Sequence, residues 1–313
     1  MVYIFSIEND FSTSEVIDWI LYFGYDYCRI NSFVDLNKYL TENVIISNTE
    51  LNLEVTSVWY RRTPKLDLPS NITENPSVDI CIREYARSEQ LGLFNSVFSR
   101  FHDKRWLNNW NNCSPGKFYQ LLLAEMAGLN VPNTCIVNTK KQLQLFKDKN
   151  KEIIIKSIQD IVPFEINGDS YMQYTKILED SDIDELTDCF FPCLCQKAID
   201  KNHEIRTFFI DGHCYSMAIC SSFDEQTKVD FRRYNDKYPN RTVPYQLPKQ
   251  IEQNICDFMK AMDLNCGSLD LILDNSGAFY FLEVNPVGQF GMVSYPCNYY
   301  LEREIARFLT TQN

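Results

Sequence analysis

GSLDLILDNSGAFYFLEVNP, residues 267–286, reads as two strands around a tight turn. Leucine, isoleucine and aromatic residues flank Asp274-Asn275-Ser276-Gly277, a run of turn formers. Strands alternate faces, so Glu283 and Asn285 point the same way. A four-residue loop that pairs Leu273 with Ala278 sets Asp270 opposite Phe281. Asp270 then shares a face with Glu283 and lies diagonal to it, about 7–8 Å away. Two carboxylates and an amide oxygen on one face are hard oxygen donors of the kind Mg²⁺ takes. The same acids also fit an ordinary sheet with one wet face, and a one-residue bulge would change the parity.

Upstream, Glu204–Ile210 and His213–Ile219 flank Asp211-Gly212, a two-residue hairpin signal. Just before them, Cys195-Gln196-Lys197-Ala198-Ile199 leaves a strand and turns polar, and Glu204 and Arg206 share one face of the next strand. A strand end of this kind either offers its backbone to the edge of a base or is a plain connector. Two lysines sit oddly. Lys156 follows Ile153-Ile154-Ile155, so its stem lies among buried side chains. Lys117 falls in the first turn of a helix, where a cation is disfavoured unless an anion is bound there too. Snorkelling or solvated lysines are the plain alternative. Asp230-Phe231-Arg232-Arg233 sets two guanidiniums in a loop-like stretch, where one can clamp phosphate or carboxylate.

Further out, residues 2–7 read as a strand, Ser12-Thr13-Ser14-Glu15 as a capping box, and Tyr27–Ile30 and Val44–Ile46 as further strands. The apolar spacing predicts a helix from about Pro76 to Phe101. Trp106–Cys113 reads as a loop, and Ser114-Pro115-Gly116-Lys117 as a helix start with Ser114 as N-cap. Thr139 caps another helix, Ile158–Tyr174 reads as irregular, Asp180–Asp188 as a short acidic helix and Pro248–Met262 as an amphipathic one. The expected fold class is α/β (α+β): an N-terminal α/β lobe over 1–112, a central lobe over 113–196 and a C-terminal antiparallel-sheet lobe over 197–313.

Composition narrows the function. The 313 residues suit about two domain-sized units. They are 45% hydrophobic and 23% charged, and 30 basic against 42 acidic residues leave a net charge of −12. Such a balance argues against a protein that grips nucleic acid backbones. No apolar run reaches the ~18 residues of a membrane span, and the first residues lack a basic signal region. The twelve cysteines are scattered without a CxxC pair, and there are three histidines. Reduced thiols in a cytoplasmic protein are the expectation.

Taken in order, Lys117, Lys156, Gln196-Lys197, Glu204, Arg206, Asp270 and the closing Phe281-Leu282-Glu283-Val284-Asn285-Pro286 resemble the ATP-grasp superfamily. Val58-Trp59-Tyr60-Arg61-Arg62, Trp106-Leu107-Asn108 and Gly116-Lys117-Phe118-Tyr119-Gln120-Leu121 resemble the graspetide (microviridin-type) peptide maturases, in the grasp-with-spasm branch. The resemblance implies the ATP-grasp fold, ATP and Mg²⁺ as cofactors, and a ribosomally made precursor peptide as partner and substrate. Its Asp or Glu side chains would be joined to Ser, Thr or Lys side chains as ω-esters or ω-amides. The resemblance also implies that Lys117 and Lys156 contact the phosphates. Gln196, Lys197 and Ile199 line the adenine hinge, Glu204 lies near the ribose and Leu282 packs on the base. Asp270, Glu283 and Asn285 hold Mg²⁺, and Arg206 and Arg232 steady developing charge. Asp230 and His203 are the candidates for a base, and the family implies a homodimer; no nucleic acid and no membrane partner is expected from the charge balance and the lack of a long apolar run. Two departures stand out: Gly168 is the sole glycine between Lys156 and Gln196, and Ser268 stands where some relatives carry arginine. The alternatives are an ATP-grasp ligase that adds a free amino acid to a protein or small acid, and a nucleotide-binding module without turnover.

Overall fold

Fifteen strands and eight α-helices follow one another along the described part of the chain. The computed structural model describes residues 1–32, 35, 55–64, 68, 72–159, 164–166, 169–171, 176–221, 237 and 239–311. In chain order the first elements are β1 (Val2–Phe5), α1 (Phe11–Tyr22), β2 (Tyr27–Ile30), β3 (Ser57–Tyr60), α2 (Pro76–Ser99) and β4 (Arg105–Leu107). Next come α3 (Lys117–Met126), β5 (Thr134–Thr139), α4 (Lys140–Asn150), β6 (Ile153–Lys156), β7 (Phe164–Ile166), β8 (Asp169–Tyr171), β9 (Lys176–Ile177) and α5 (Asp180–Asp184). The last are β10 (Cys189–Lys197), β11 (Lys201–Ile210), β12 (His213–Cys220), β13 (Arg241–Tyr245), α6 (Lys249–Ala261), β14 (Cys266–Asp274), β15 (Phe279–Asn285), α7 (Gly291–Cys297) and α8 (Leu301–Thr310).

Two units form. One holds residues 1–113, 289–291 and 300–313, and the other holds 114–288 and 292–299. The sequence reading kept 197–313 together, whereas the observed grouping puts α8 with the N-terminal strands.

The first unit is a parallel sheet in the order β2-β1-β3-β4. All four residues of β1 are buried, as expected where both faces of a parallel sheet are covered. On one face Tyr3, Phe5 and Val58 pack with Phe94, Val97 and Phe98 of α2 and with Trp106. Only the last turns of α2 contribute to this core, and Val78, Tyr85 and Leu91 are exposed although their spacing suggested one buried stripe. Helix α1 begins at Phe11 after Asp10, two residues ahead of the expected capping box. Trp106 lies in a strand rather than a loop, and its indole N–H donates to the carbonyl of Phe101 at 2.8 Å. The expected strand at Val44–Ile46 lies outside the described residues.

The second unit contains two larger sheets. The smaller of these, β5-β10-β6-β9, is antiparallel and packs one face against α4 and α5 through Val137, Leu143, Ile153, Ile183 and Cys195. Thr139 caps α4 as expected, its hydroxyl accepting from the N–H of Gln142 at 3.2 Å. The larger, β13-β12-β11-β14-β15, packs one face against α6 and α3 through Ile205, Leu269, Phe281, Val284, Phe258 and Leu121. Asp211 and Gly212 both have positive φ, 47° and 84°, as a type I′ turn requires. The segment 158–174 is not wholly irregular, since β7 pairs with β8 and Ile166 stands opposite Asp169. The two residues between them are Asn167-Gly168, a hairpin signal the sequence reading passed over.

Candidate active site on the second unit

The site is built on the face of the larger sheet opposite its core. Alternation along β11 sends Ile205, Thr207 and Phe209 inward and leaves Glu204 and Arg206 on the other face. Register carries this face to the neighbours, because Arg206 stands opposite Asp270 and Asp270 stands opposite Glu283.

The expected diagonal is therefore corrected. Leu273 pairs with Phe279 instead of Ala278, and the ladder shifts between Asp270 and Leu271. Leu271 faces Phe281 and Asp270 faces Glu283, so Leu282 is the extra residue of a bulge. That bulge restores the parity and brings the two carboxylates directly across from each other, closer than the diagonal. Asn285 opposes Ser268 on the same face, at the exposed end of β15. Gly288 holds the turn that follows: its N–H donates to the Asn285 carbonyl at 3.0 Å, and a Cβ there would meet Ser268 Cβ at 2.6 Å.

Cations lie against both acids. Lys117 is the first residue of α3, which starts after Gly116 rather than being capped by Ser114. Its Nζ is 3.4 Å from Glu283 Oε2. Gln120, one turn on and on the same side of the helix, accepts from the Val284 N–H through Oε1 at 2.8 Å. This bond satisfies a donor of the edge strand β15 and ties the start of α3 to it. Gln120 is a site residue that sequence reasoning missed, and its spacing from Lys117 was the available signal. Arg206 Nε lies 3.5 Å from Asp270 Oδ1, an ion pair without hydrogen-bond geometry, and this buried Nε has no hydrogen-bond partner among the described residues.

Glu204 sits beside this group with Oε1 accepting from Lys201 Nζ and, at 3.1 Å, from the Ser221 hydroxyl. Burial pushes its carboxyl above the ordinary 4.5, Lys201 and Ser221 oppose that shift, and Asp270 adds to it. Lys201 and Ser221 were also missed. His203, a candidate base from the sequence, falls on the other face of β11 by alternation, away from the carboxylates. Asp230 and Arg232 lie outside the described residues.

On the smaller sheet, β10 places Gln196 opposite Ile154 and Leu194 opposite Lys156, which puts Gln196 and Lys156 on one face. Cys195, Cys135 and Ile153 take the opposite face, in the core beneath α4 and α5. Burial pushes the Cys195 thiol up to about 12, and among the described residues no disulfide joins any of the twelve cysteines. Gln196 is buried, its Nε2 donates to Thr134 Oγ1 at 3.0 Å, and its Oε1 has no partner among the described residues. The expected open strand end fails at two amides: Lys197 N–H donates to the Asn133 carbonyl at 2.8 Å and Ala198 N–H to the Glu152 carbonyl at 2.9 Å. Ile199 follows, half-buried, in the connector to β11.

No cluster of three His, Cys, Asp or Glu side chains with metal-binding geometry occurs among the described residues. The donor set is two opposed carboxylates and an amide, chemistry that suits Mg²⁺ when phosphates and water complete its shell. The two orphaned buried atoms also fit a nucleotide, since Gln196 Oε1 can accept from an amino group and Arg206 Nε can donate to an oxygen anion.

The larger sheet with its carboxylate pair and the smaller sheet with its lysine and buried glutamine make up an ATP-grasp fold. Whole-chain likeness to solved structures bears this out. A macrocyclase, MdnC, solved with precursor peptide MdnA from Microcystis aeruginosa MRC, matches with a TM-score of 0.80 and 23% identity over 99% of each chain. A RiPP-associated ATP-grasp ligase of Chryseobacterium gregarium, solved with ADP and a leader and core peptide, matches with a TM-score of 0.78 and 22% identity over 98% of this chain and 94% of that one. The ATP-grasp ligase PsnB, solved with a phosphomimetic variant of its minimal precursor, Mg and ADP, has a TM-score of 0.72 and 16% identity over 98% and 97%. No family profile and no curated protein sequence matches the chain. No helix among the described residues is long and apolar enough to cross a membrane.

Proposed function

We propose that this chain is an ATP-dependent peptide macrocyclase. It activates Asp or Glu side chains of a ribosomally made precursor peptide as acyl phosphates and joins them to Ser, Thr or Lys side chains as ω-esters or ω-amides. One observation carries the reading: opposed carboxylates, each with a cation beside it, stand on one sheet of a chain whose fold matches that of a macrocyclase solved with its precursor peptide.

The chemistry asks for this arrangement. A carboxylate does not react with a hydroxyl or amine at neutral pH, because oxide would have to leave. When the carboxylate oxygen attacks the γ-phosphorus, ADP departs and the acyl carbon gains a phosphate leaving group. The hydroxyl or amine then attacks that carbon, phosphate departs, and the nucleophile gives up its proton. Catalysis of the first step is mainly positioning and charge neutralisation.

Asp270, Glu283 and Asn285 would hold Mg²⁺, which when bound neutralises charge on the phosphate oxygens. Lys117, now against Glu283, would turn its ammonium to the outer phosphates, and Lys156 would take inner ones. Arg206, and Arg232 with it, would steady charge on phosphate and acyl oxygens. Gln196, Lys197 and Ile199 would line the base, Leu282 would pack on it, and Glu204 would receive the ribose. The protein acts in the cytoplasm as a homodimer, without nucleic acid or membrane partners.

The test incubates the chain with ATP, Mg²⁺ and any short peptide rich in Thr, Ser, Lys, Asp and Glu that is encoded beside its gene. Loss of one water mass per ring, with ADP formed in step, is the expected result. A ligase that adds a free amino acid would raise the mass instead, and a binding module would leave both peptide and ATP unchanged. Asp270→Asn and Glu283→Gln should abolish ATP turnover and dehydration while the fold persists. Full dehydration by either variant would reject the metal assignment.

A further inference from the structure

Gln196 is 1% exposed on the smaller sheet, with a side-chain amide that is only half satisfied. Its strand, β10, runs between β5 and β6, and Gln196 stands opposite Thr134 on one side and Ile154 on the other. Ile154 has no polar side-chain atom, so of these two neighbours only Thr134 can bond the amide side chain.

The direction of that bond is set by a third group. Thr134 Oγ1 lies 2.7 Å from the Pro132 carbonyl oxygen. Two oxygens that close need a proton between them, and the hydroxyl has one while the carbonyl has none. The Thr134 proton is therefore committed to Pro132, and hydroxyl lone pairs are what Gln196 meets. The amide turns Nε2 to them and donates at 3.0 Å. A flipped amide would set Oε1 against those lone pairs, so the chain from Pro132 through Thr134 to Gln196 decides which end is oxygen. What remains is Oε1, a buried acceptor without a partner among the described residues, on the face that also carries Lys156. A buried acceptor left over in this way calls for a donor from elsewhere.

We propose that Thr134 holds Gln196 as an acceptor and that the pair selects a 6-aminopurine nucleotide over its 6-oxopurine counterpart. The inference rests on the nucleotide-binding reading and adds which base is taken and which residue decides it. A 6-amino group presents an N–H to Oε1. A 6-oxo group presents a second acceptor, and both oxygens then stay unpaired in a buried place. Gln196 alone does not discriminate, because a free amide can turn over and offer Nε2 to the oxo group. The Thr134 hydroxyl prevents that turn, which makes Thr134 a positioning residue that need not touch the nucleotide.

Calorimetric titration with MgADP and with the magnesium complex of inosine diphosphate tests this, since the two nucleotides share ribose and phosphates. The wild-type chain should bind MgADP at least about tenfold more tightly. Thr134→Val, which keeps the shape and loses the hydroxyl, should cut that ratio about fivefold or more, and Gln196→Met should do the same. Thr134→Ser, which restores the hydroxyl, should preserve it. A mere packing defect would weaken both nucleotides alike and leave the ratio untouched. A wild-type chain that binds the two alike, or an unchanged ratio in Thr134→Val, would overturn the proposal. Should Thr134→Val fail to fold, an unchanged ratio in Gln196→Met would overturn it as well. A wild-type chain that binds neither nucleotide would remove the nucleotide reading and this proposal with it, whereas equal binding of both removes this proposal alone.

Discussion

Replacing Glu283 by glutamine should separate two roles of this carboxylate, partner of Lys117 and metal ligand. Lys117 Nζ and Glu283 Oε2 are 3.4 Å apart, and their side chains are 10% and 30% exposed. At an effective dielectric of about 20, Coulomb's law puts their gross attraction at about 5 kcal/mol. Lost hydration and side-chain ordering offset most of it, leaving a net coupling of about 1–2 kcal/mol. Without nucleotide, Glu283→Gln should therefore lower the unfolding midpoint by about 2–8 °C. With nucleotide the two roles part. Lys117 keeps its charge for the phosphates, so Mg-free ADP binding survives, while added Mg²⁺ no longer tightens it. At MgADP near a hundred times Kd the wild-type chain gains about 2.7 kcal/mol, and the variant should gain no more than it does with ADP alone. The assay is thermal unfolding of wild type, Lys117→Met, Glu283→Gln and the double variant, with ADP, with MgADP and with neither. A coupling within about 0.3–0.5 kcal/mol of zero, the usual error of additivity, would show that the two residues are not partners. An undiminished Mg²⁺ response in Glu283→Gln would remove it from the metal shell.

Three further outcomes follow from the packing and the charges. Gly288→Ala should cost about 1–3 kcal/mol by overpacking, since its Cβ would sit 2.6 Å from Ser268 Cβ and 2.9 Å from the Asn285 carbonyl oxygen. Denaturant unfolding measures this, and Ser268→Gly in the same chain should restore part of the loss. At Asp10, burial raises the carboxyl's pKa, but Arg61, the Ser12 and Thr13 hydroxyls and Arg62 outweigh it, leaving it below 3.8. Its contribution is thus complete above pH 3.8 and disappears as pH falls through the lower folded value. Asp10→Asn should cost about 3–5 kcal/mol at neutral pH, because it leaves buried Arg61 without its acid, and should flatten the acid limb of a stability–pH curve. Glu204 has the opposite sign: its raised carboxyl makes stability decline as pH climbs past 4.5, a slope that Glu204→Gln should abolish.

Much of the larger sheet was legible because its signals are local. Asp211-Gly212 and the turn before Ala278 fix two hairpins, and period-two alternation sorts Glu204 and Arg206 from Ile205 and Thr207. The face shared by Asp270 and Glu283 was read correctly and their distance was not. The turn pairs Leu273 with Phe279, one residue off the expected register, and the bulge at Leu282 compensates. Neither shift has a residue signature within Phe281-Leu282-Glu283, so each error concealed the other. Ser114-Pro115 looked like a helix start, yet the helix waits for Lys117, where Gln120 can dock on the edge of β15. That preference is tertiary and cannot be read from capping residues. The aromatic run at Trp106 and Trp110 read as loop because three-residue β4 is too short to display a period. Its strand character comes from parallel pairing with β3.

Helix α8 has a consequence for how the protein forms. Ser57 Oγ donates to the Leu309 carbonyl at 2.6 Å across a sequence separation of 252 residues, and Arg105 donates to the Thr311 carbonyl and covers the Phe308 ring. The unit that leaves the ribosome first is thereby the one that must wait for its covering helix until the whole second unit has been made. Its parallel strands spend synthesis with one apolar side uncovered, and closing so long a loop slows their completion. An early stop codon just ahead of α8 would injure the amino-terminal half of the molecule, the part furthest from it in the reading frame.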